Sequence, residues 1–245
     1  MRLSYRGAGY HGWQIQPHDT SVQETIEKAM ATVLRQPVAL TGAGRTDTGV
    51  NARLMVAHFD VDEPIADLGL LCHKLNGLVG RDIAIHSIVP VHADAHARFD
   101  ATSRTYKYFA HTSKSPFFYP LSWHCRADLD FALMNEAAAR LLEYRDFTSF
   151  SKLHTDVKTN LCHITHARWE REGEQWVFTI TADRFLRNMV RAIVGTLVDV
   201  GRGHIDAERF EAIIEARNRA MACSSAPAQG LYLTRVDYPA HIFAT

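Results

Sequence analysis

"SVQETIEKAMATVLRQPVALTGA", residues 21–43, sets the frame for the whole chain. Ser21 and Glu24 stand at capping-box spacing, so the hydroxyl can accept from the third helical amide while the carboxylate reaches back. Val22, Ile26, Ala29 and Val33 then recur at the period of one helix face. The spacing predicts a helix over 21–35. Pro37 ends it, and "VALTGA" (38–43) reads as a strand.

Upstream, residues 2–5 and 10–14 read as short strands. Downstream come a strand "LMVAHFDV" (54–61), a helix "DLGLLCHKLNG" (67–77) closed by Gly77, and an alternating strand "DIAIHSIVPV" (82–91). The first half therefore spells β-α-β-β-α-β. The second half repeats the theme with "SRTYKYFAH" (103–111) as a strand and "LDFALMNEAAARLL" (129–142) as a helix. "CHITHARWE" (162–170) and "QWVFTITA" (175–182) form a hairpin through Gly173. Helices "FLRNMVRAIVGTLVDVG" (185–201) and "DAERFEAIIEAR" (206–217) and a strand "GLYLTRVDY" (230–238) complete it. The expected class is α+β: two ferredoxin-like or RRM-like halves, 1–100 and 101–245. Their largely antiparallel sheets would meet around a central cleft, with helices on the outer faces.

Composition narrows the function. A hydrophobic share of 47% supports globular folding. No stretch approaches the ~20 apolar residues of a membrane span. "MRLSYRGAGYHGW" has no apolar segment before a cleavage site, so the chain is expected in the cytoplasm. Cys72, Cys125, Cys162 and Cys223 lie far apart with no C-x-x-C, which fits reduced thiols. With 27 basic and 27 acidic side chains there is no strongly basic coat, so a polyanion must be held by a few clustered cations.

Three segments could carry chemistry. "AGRTDTGVNA" (43–52) places Arg45 and Asp47 two apart among glycines and hydroxyls. In an extended backbone they share a face, where the guanidinium favours the ionised carboxylate. Gly44 and Gly49 let another chain or a ligand approach; the competing reading is an Asx-type turn. "SRTYKY" puts Arg104, Tyr106 and Tyr108 on one strand face and Thr105 and Lys107 on the other. Arg98–Lys114 holds four basic residues against Asp100, a positive patch with aromatics suited to a nucleobase, or else a half-buried strand. In the helix expected over 185–201, Arg184, Arg187 and Arg191 fall on one narrow arc, either solvated or paired with an anion.

Other signals lead elsewhere. On a strand, Cys162 and His166 of "CHITH" face away from His163, so no metal site is expected. The glycines of "YRGAGYHGW" lack the lysine and helix start of a phosphate loop. A Ser-His-Asp triad finds no support beyond chance among fourteen histidines.

"GWQIQP", "SVQETIEKA", "GAGRTDTGVNA", "HARFDATSRTYKY", "DFTSF", "FLRNMVRAIVG" and "GLYL" occur in that order across nearly the whole chain. Together they resemble the tRNA pseudouridine synthase A family. The resemblance implies isomerisation of uridine to pseudouridine in the anticodon stem-loop of tRNA, nominally at tRNA positions 38, 39 and 40. It implies Asp47 as the essential carboxylate, held by Arg45 and Arg191. Tyr106 would contact the uracil and take the C5 proton, and Leu231 would pack near the base. Arg104 and Arg187 are the further substrate contacts. It also implies no metal or organic cofactor, tRNA as partner, and a homodimer. The residues leave open whether Asp47 attacks C1′ or removes the 2′ proton to give a glycal. Arg6, Asn51 and Cys162 depart from the family pattern. A noncatalytic RNA-binding module would share the aromatic and basic residues without needing Asp47, and a glycosidase would need a second carboxylate near it.

Overall fold

The computed structural model describes residues 1–125, 128–152 and 159–243. The chain divides by contact into two units, Met1–Ser103 with Leu233–Thr245, and Arg104–Tyr232. Among the described residues there are five α-helices, and the longer strand pairings are antiparallel, so the class is mixed α+β.

The first unit carries β1 (Arg2–Tyr5), α1 (Val22–Leu34), β2 (Thr41–Gly42), β3 (Asn51–His58), α2 (Leu68–Leu78) and β4 (Ile83–Ser87). β1 pairs antiparallel with both β3 and β4, and β2 pairs with the end of β3. Half of the capping box forms: Glu24 N–H donates to Ser21 Oγ at 3.2 Å, while the Glu24 carboxylate pairs with Lys28. α1 stops where Arg35 turns left-handed, before Pro37 is reached. α1 buries Val22, Ile26, Ala29 and Met30, while Leu3, Met55, Leu75, Ile83 and Ile85 supply the sheet and α2 side of the core. Each such side chain larger than alanine contributes about 1.5–3 kcal/mol of transfer free energy.

Three expectations change here. Residues 10–14 form no strand, and the strand expected over 38–43 shrinks to Thr41–Gly42. Gly77 lies inside α2, and the chain leaves the helix at Gly80, whose φ of +77° suits glycine.

The second unit carries β5 (Ser103–His111, from its second residue on), β6 (Trp123–His124), α3 (Phe131–Arg140), β7 (Ile164–Glu172), β8 (Gln175–Ala182), α4 (Met189–Gly201) and α5 (Ala207–Glu215). β8 pairs antiparallel with β5 and β7, and β6 runs parallel to the end of β5. The hairpin turns at Gly173, with φ +62°. Trp169, Phe178, Phe147, Phe150 and Phe210 are fully buried in this unit. β9 (Leu231–Asp237) starts in this unit and finishes in the first.

α4 begins four residues later than its sequence pattern predicts. Asn188 precedes it with φ +65°, so residues 184–188 are not helical. Arg184, Arg187 and Arg191 therefore do not share a helical arc. The apolar periodicity persisted because Leu186 is buried from a loop.

Candidate active site

The Asp47 segment hangs between β2 and β3 in the first unit. Its backbone is fixed by the glycine-rich stretch before α1. Trp13 N–H donates to Thr46 O at 3.3 Å, and Gly49 N–H donates to Tyr10 O at 3.3 Å. Thr46 is buried, with its hydroxyl 2.8 Å from the Tyr5 hydroxyl. Gly7 N–H donates to Asn51 Oδ1 at 2.9 Å. Val50 N–H closes a turn onto Asp47 O at 3.1 Å, with Gly49 at φ +78°.

Two glycines make that approach possible. A Cβ on Gly7 would stand 2.1 Å from Val50 O, and one on Gly12 would stand 2.3 Å from Thr46 O. Gly44, by contrast, would meet nothing within 4 Å. The segment "YRGAGYHGW" makes the close approach at Gly49, where Gly49 N–H donates to Tyr10 O and a Cβ on Gly7 would stand 2.8 Å from Gly49 C. Its glycines looked uninformative without a phosphate-loop lysine. Two of them, Gly7 and Gly12, before a buried Trp13 were the signal of one backbone lying on another.

Asp47 is half-buried and Arg45 exposed, with Thr46 turned inward between them. Arg45 makes no side-chain hydrogen bond or ion pair with another described residue. The expected Arg45–Asp47 pair is not formed. Within this unit, the contacts at Thr46 fix the backbone next to Asp47.

In the second unit, Tyr106 is half-buried on β5 opposite Ile180 of β8. Its ring meets Phe185 edge-on, with centroids 5.1 Å apart. Arg104 donates from Nη1 to Asp183 O at 2.7 Å. Tyr108, two residues on, is fully buried and donates its hydroxyl to Pro227 O at 2.8 Å. Burial pushes its phenol well above the ordinary value, and nearby Arg191 opposes this. Lys107 is bound to Glu172 at 2.7 Å, so the positive patch read around this strand has one charge fewer to offer.

Arg191 lies in the first turn of α4, clasped by the segment that leads into β9. Its Nε donates to Ala226 O at 2.7 Å, and Ala226 N–H donates to Arg191 O at 2.9 Å. Asn188 Nδ2 donates to Ser225 Oγ at 2.7 Å, and Arg219 Nη2 reaches the same oxygen at 3.2 Å. Gly195 lets the segment lie flat, since a Cβ there would fall 1.9 Å from Ser224 O. Leu231 is buried at the end of this segment, and Arg187 is exposed before the helix. Nothing in the sequence reading had singled out Asn188, Ser225 or Ala226.

A chain of Parabacteroides distasonis named tRNA pseudouridine synthase A is 58% identical over 241 residues, covering 98% of this chain and 96% of that one. The chain belongs to the tRNA pseudouridine synthase A family. Relatives of the same name from Porphyromonas gingivalis and Geobacter sulfurreducens are 58% identical over 98% of this chain and 40% over 96%, covering 97% of each relative. A family model described as tRNA pseudouridine synthase matches residues 137–239.

Two of the residues Arg6, Asn51 and Cys162 have structural roles, and the third is buried. Arg6 Nε pairs with Asp82 at 3.0 Å, and its N–H donates to Asp82 O, tying the end of β1 to the approach to β4. Asn51 is the buried acceptor for Gly7. Cys162 is buried, which chiefly pushes its thiol up to about 12. Among the described residues, no group of three or more His, Cys, Asp or Glu is placed to hold a metal. No helix of the described residues is long and apolar enough to cross a membrane.

Proposed function

We infer that this chain isomerises uridine to pseudouridine in tRNA, and that Asp47 is the carboxylate acting at the ribose of a uridine swung out of its stack. Support comes from family membership over nearly the full length and from the backbone contacts that hold the Asp47 loop in one conformation. The fixed loop carries the argument. A carboxylate can stabilise an oxocarbenium-like C1′ only if it is positioned before the charge develops.

The atoms balance without a co-reactant. The N1–C1′ bond breaks with its electron pair on uracil, the ring turns, and C5 bonds C1′. The C5 proton then leaves and N1 takes one. Attack on C1′ and removal of the 2′ proton to a glycal both use the same ionised carboxylate. Tyr106 contacts the uracil and receives the C5 proton, Leu231 packs beside the base, and Arg191 is read as a further member of the catalytic set. Arg45, exposed on its loop, meets substrate phosphate together with Arg104 and Arg187. Extruding the uridine costs a few kcal/mol, which RNA contacts offset.

The finer reading is the anticodon stem-loop at tRNA positions 38, 39 and 40, in the cytoplasm, by a homodimer without metal or organic cofactor. Each unit is read as a ferredoxin-like β-α-β-β-α-β fold beside an RNA-binding cleft; in the first, the antiparallel order β4-β1-β3-β2 supports this. Tritium release from C5-labelled tRNA tests the chemistry. Asp47→Asn should abolish release while tRNA binding stays near wild type, and turnover in that variant would end the proposal.

A further inference from the structure

Outside the residues just discussed, the turn before β5 holds an aromatic ring in water. Phe99 is 74% exposed, although folding it inward would remove a large apolar surface from solvent. It is held out by a dense local network. Ala97 N–H donates to His58 Nδ1 at 3.0 Å, and the amides of Arg98 and Phe99 both donate to His96 Nδ1, at 3.1 and 3.2 Å. His96 N–H donates to Asp100 Oδ2 at 2.6 Å, and Asp100 N–H returns to His96 O at 3.0 Å. The Tyr238 hydroxyl donates to Ala97 O at 2.5 Å. Every backbone amide from His96 to Asp100 thus has an acceptor. The turn is rigid by construction.

The outward ring is also furnished. The His96 ring backs Phe99 with centroids 4.2 Å apart, and the exposed Arg98 guanidinium lies 5.7 Å from the Phe99 centroid. An exposed ring backed by an imidazole and accompanied by a guanidinium 5.7 Å from its centroid suits a flat, electron-rich ring joined to an anion. We propose that Phe99 is a stacking platform for an unpaired base of the substrate tRNA, with Arg98 meeting the adjoining phosphate. The proposal rests on the reading of tRNA as substrate. A second copy of this chain fits the turn less well, because a stable dimer buries about 800 Å² per partner and would gain little from a lone ring beside a cation.

The experiment measures equilibrium binding of an unmodified tRNA transcript across a salt series, with pseudouridine formation by the wild type followed in parallel. Phe99→Ala should weaken binding on the order of ten-fold with the salt slope unchanged, because stacking releases no counterions. Arg98→Gln should lower the slope by about one. Phe99→Trp should retain affinity, and its added fluorescence should be quenched when a base stacks on it. Wild-type affinity in Phe99→Ala, or an unquenched Phe99→Trp, would overturn the platform. So would a shifted monomer–dimer equilibrium in Phe99→Ala with unaltered tRNA affinity, which would assign the ring to a second copy. Should the wild type form no pseudouridine, the enzymatic reading fails by itself.

Discussion

Replacing Gly12 with alanine tests whether the glycine-rich stretch is what positions Asp47. The new methyl would stand 2.3 Å from Thr46 O and 3.2 Å from Asp47 C, about 1 Å short of ordinary contact with the carbonyl. The obstacle is backbone, so no side chain can rotate away. At φ +88° the alanine is strained whatever the space. Left-handed backbone costs an L-residue roughly 1–2 kcal/mol, and over-packing costs roughly 1–3 kcal/mol more. The expected loss is therefore about 2–5 kcal/mol, against a total stability of about 5–15 kcal/mol. Relief by moving the loop shifts Asp47, and misplacement by about 1 Å can lower turnover about a hundred-fold. Urea denaturation gives the first quantity, and kcat for tRNA in the folded fraction gives the second. Gly9→Ala is the control, since a Cβ there meets nothing within 4 Å. A folded Gly12→Ala protein with wild-type kcat would refute the reasoning. Equal losses at Gly9 would refute it too.

Gly195→Ala should act in the same way on Arg191. Its methyl would lie 1.9 Å from Ser224 O, lifting the segment that binds the Arg191 guanidinium through Ala226, so kcat and the urea midpoint should both fall. Stability should decline as pH falls below about 6.5. Burial first, then His96 and the N-terminal ammonium, hold His58 below its ordinary 6.5 against the opposite pull of Asp60 and Asp100. The unfolded chain therefore takes the proton first, and the neutral ring's contribution is complete above 6.5 and lost on acidification. Urea midpoints between pH 8 and 5 should show this, with a shallower slope in His58→Gln. Buried Cys125 and Cys162, with thiols pushed up to about 11 and about 12, should resist iodoacetamide at pH 8 until urea unfolds the chain, as mass spectrometry would record.

Elements were legible where side-chain chemistry alone selects them. Ser21 with Glu24 marked the start of α1, alternation marked β4 and β5, and Gly173 marked the turn that joins β7 to β8. Pattern failed where a backbone angle decides. Phe185 and Leu186 continue the apolar period of α4, yet Asn188 turns left-handed and the helix cannot extend back past it. Periodicity records which side chains are buried, and a loop can bury them as well as a helix. Gly77 shows the converse, since a glycine inside a helix is tolerated when the helix stops elsewhere.

The candidate residues divide along the same line. Asp47 and Tyr106 were candidates by residue type and neighbours, each with a competing structural reading, and the family resemblance chose between them. What fixes the loop around Asp47 is different in kind. Gly7 and Gly12 act through the side chain they lack, Thr46 through a carbonyl shared by every residue type, and Asn51 through an amide 44 residues from the glycine it serves. Similarly, Arg191 Nε is bound by the backbone of Ala226, 35 residues away, whose identity could not advertise the task. Candidate reacting groups are thus written as residue types, whereas the neighbours that fix their loops are written as permitted distances between backbones. For that reason a substitution adding one methyl at Gly12 or Gly195 should cost more activity than many exchanges of charge on the surface.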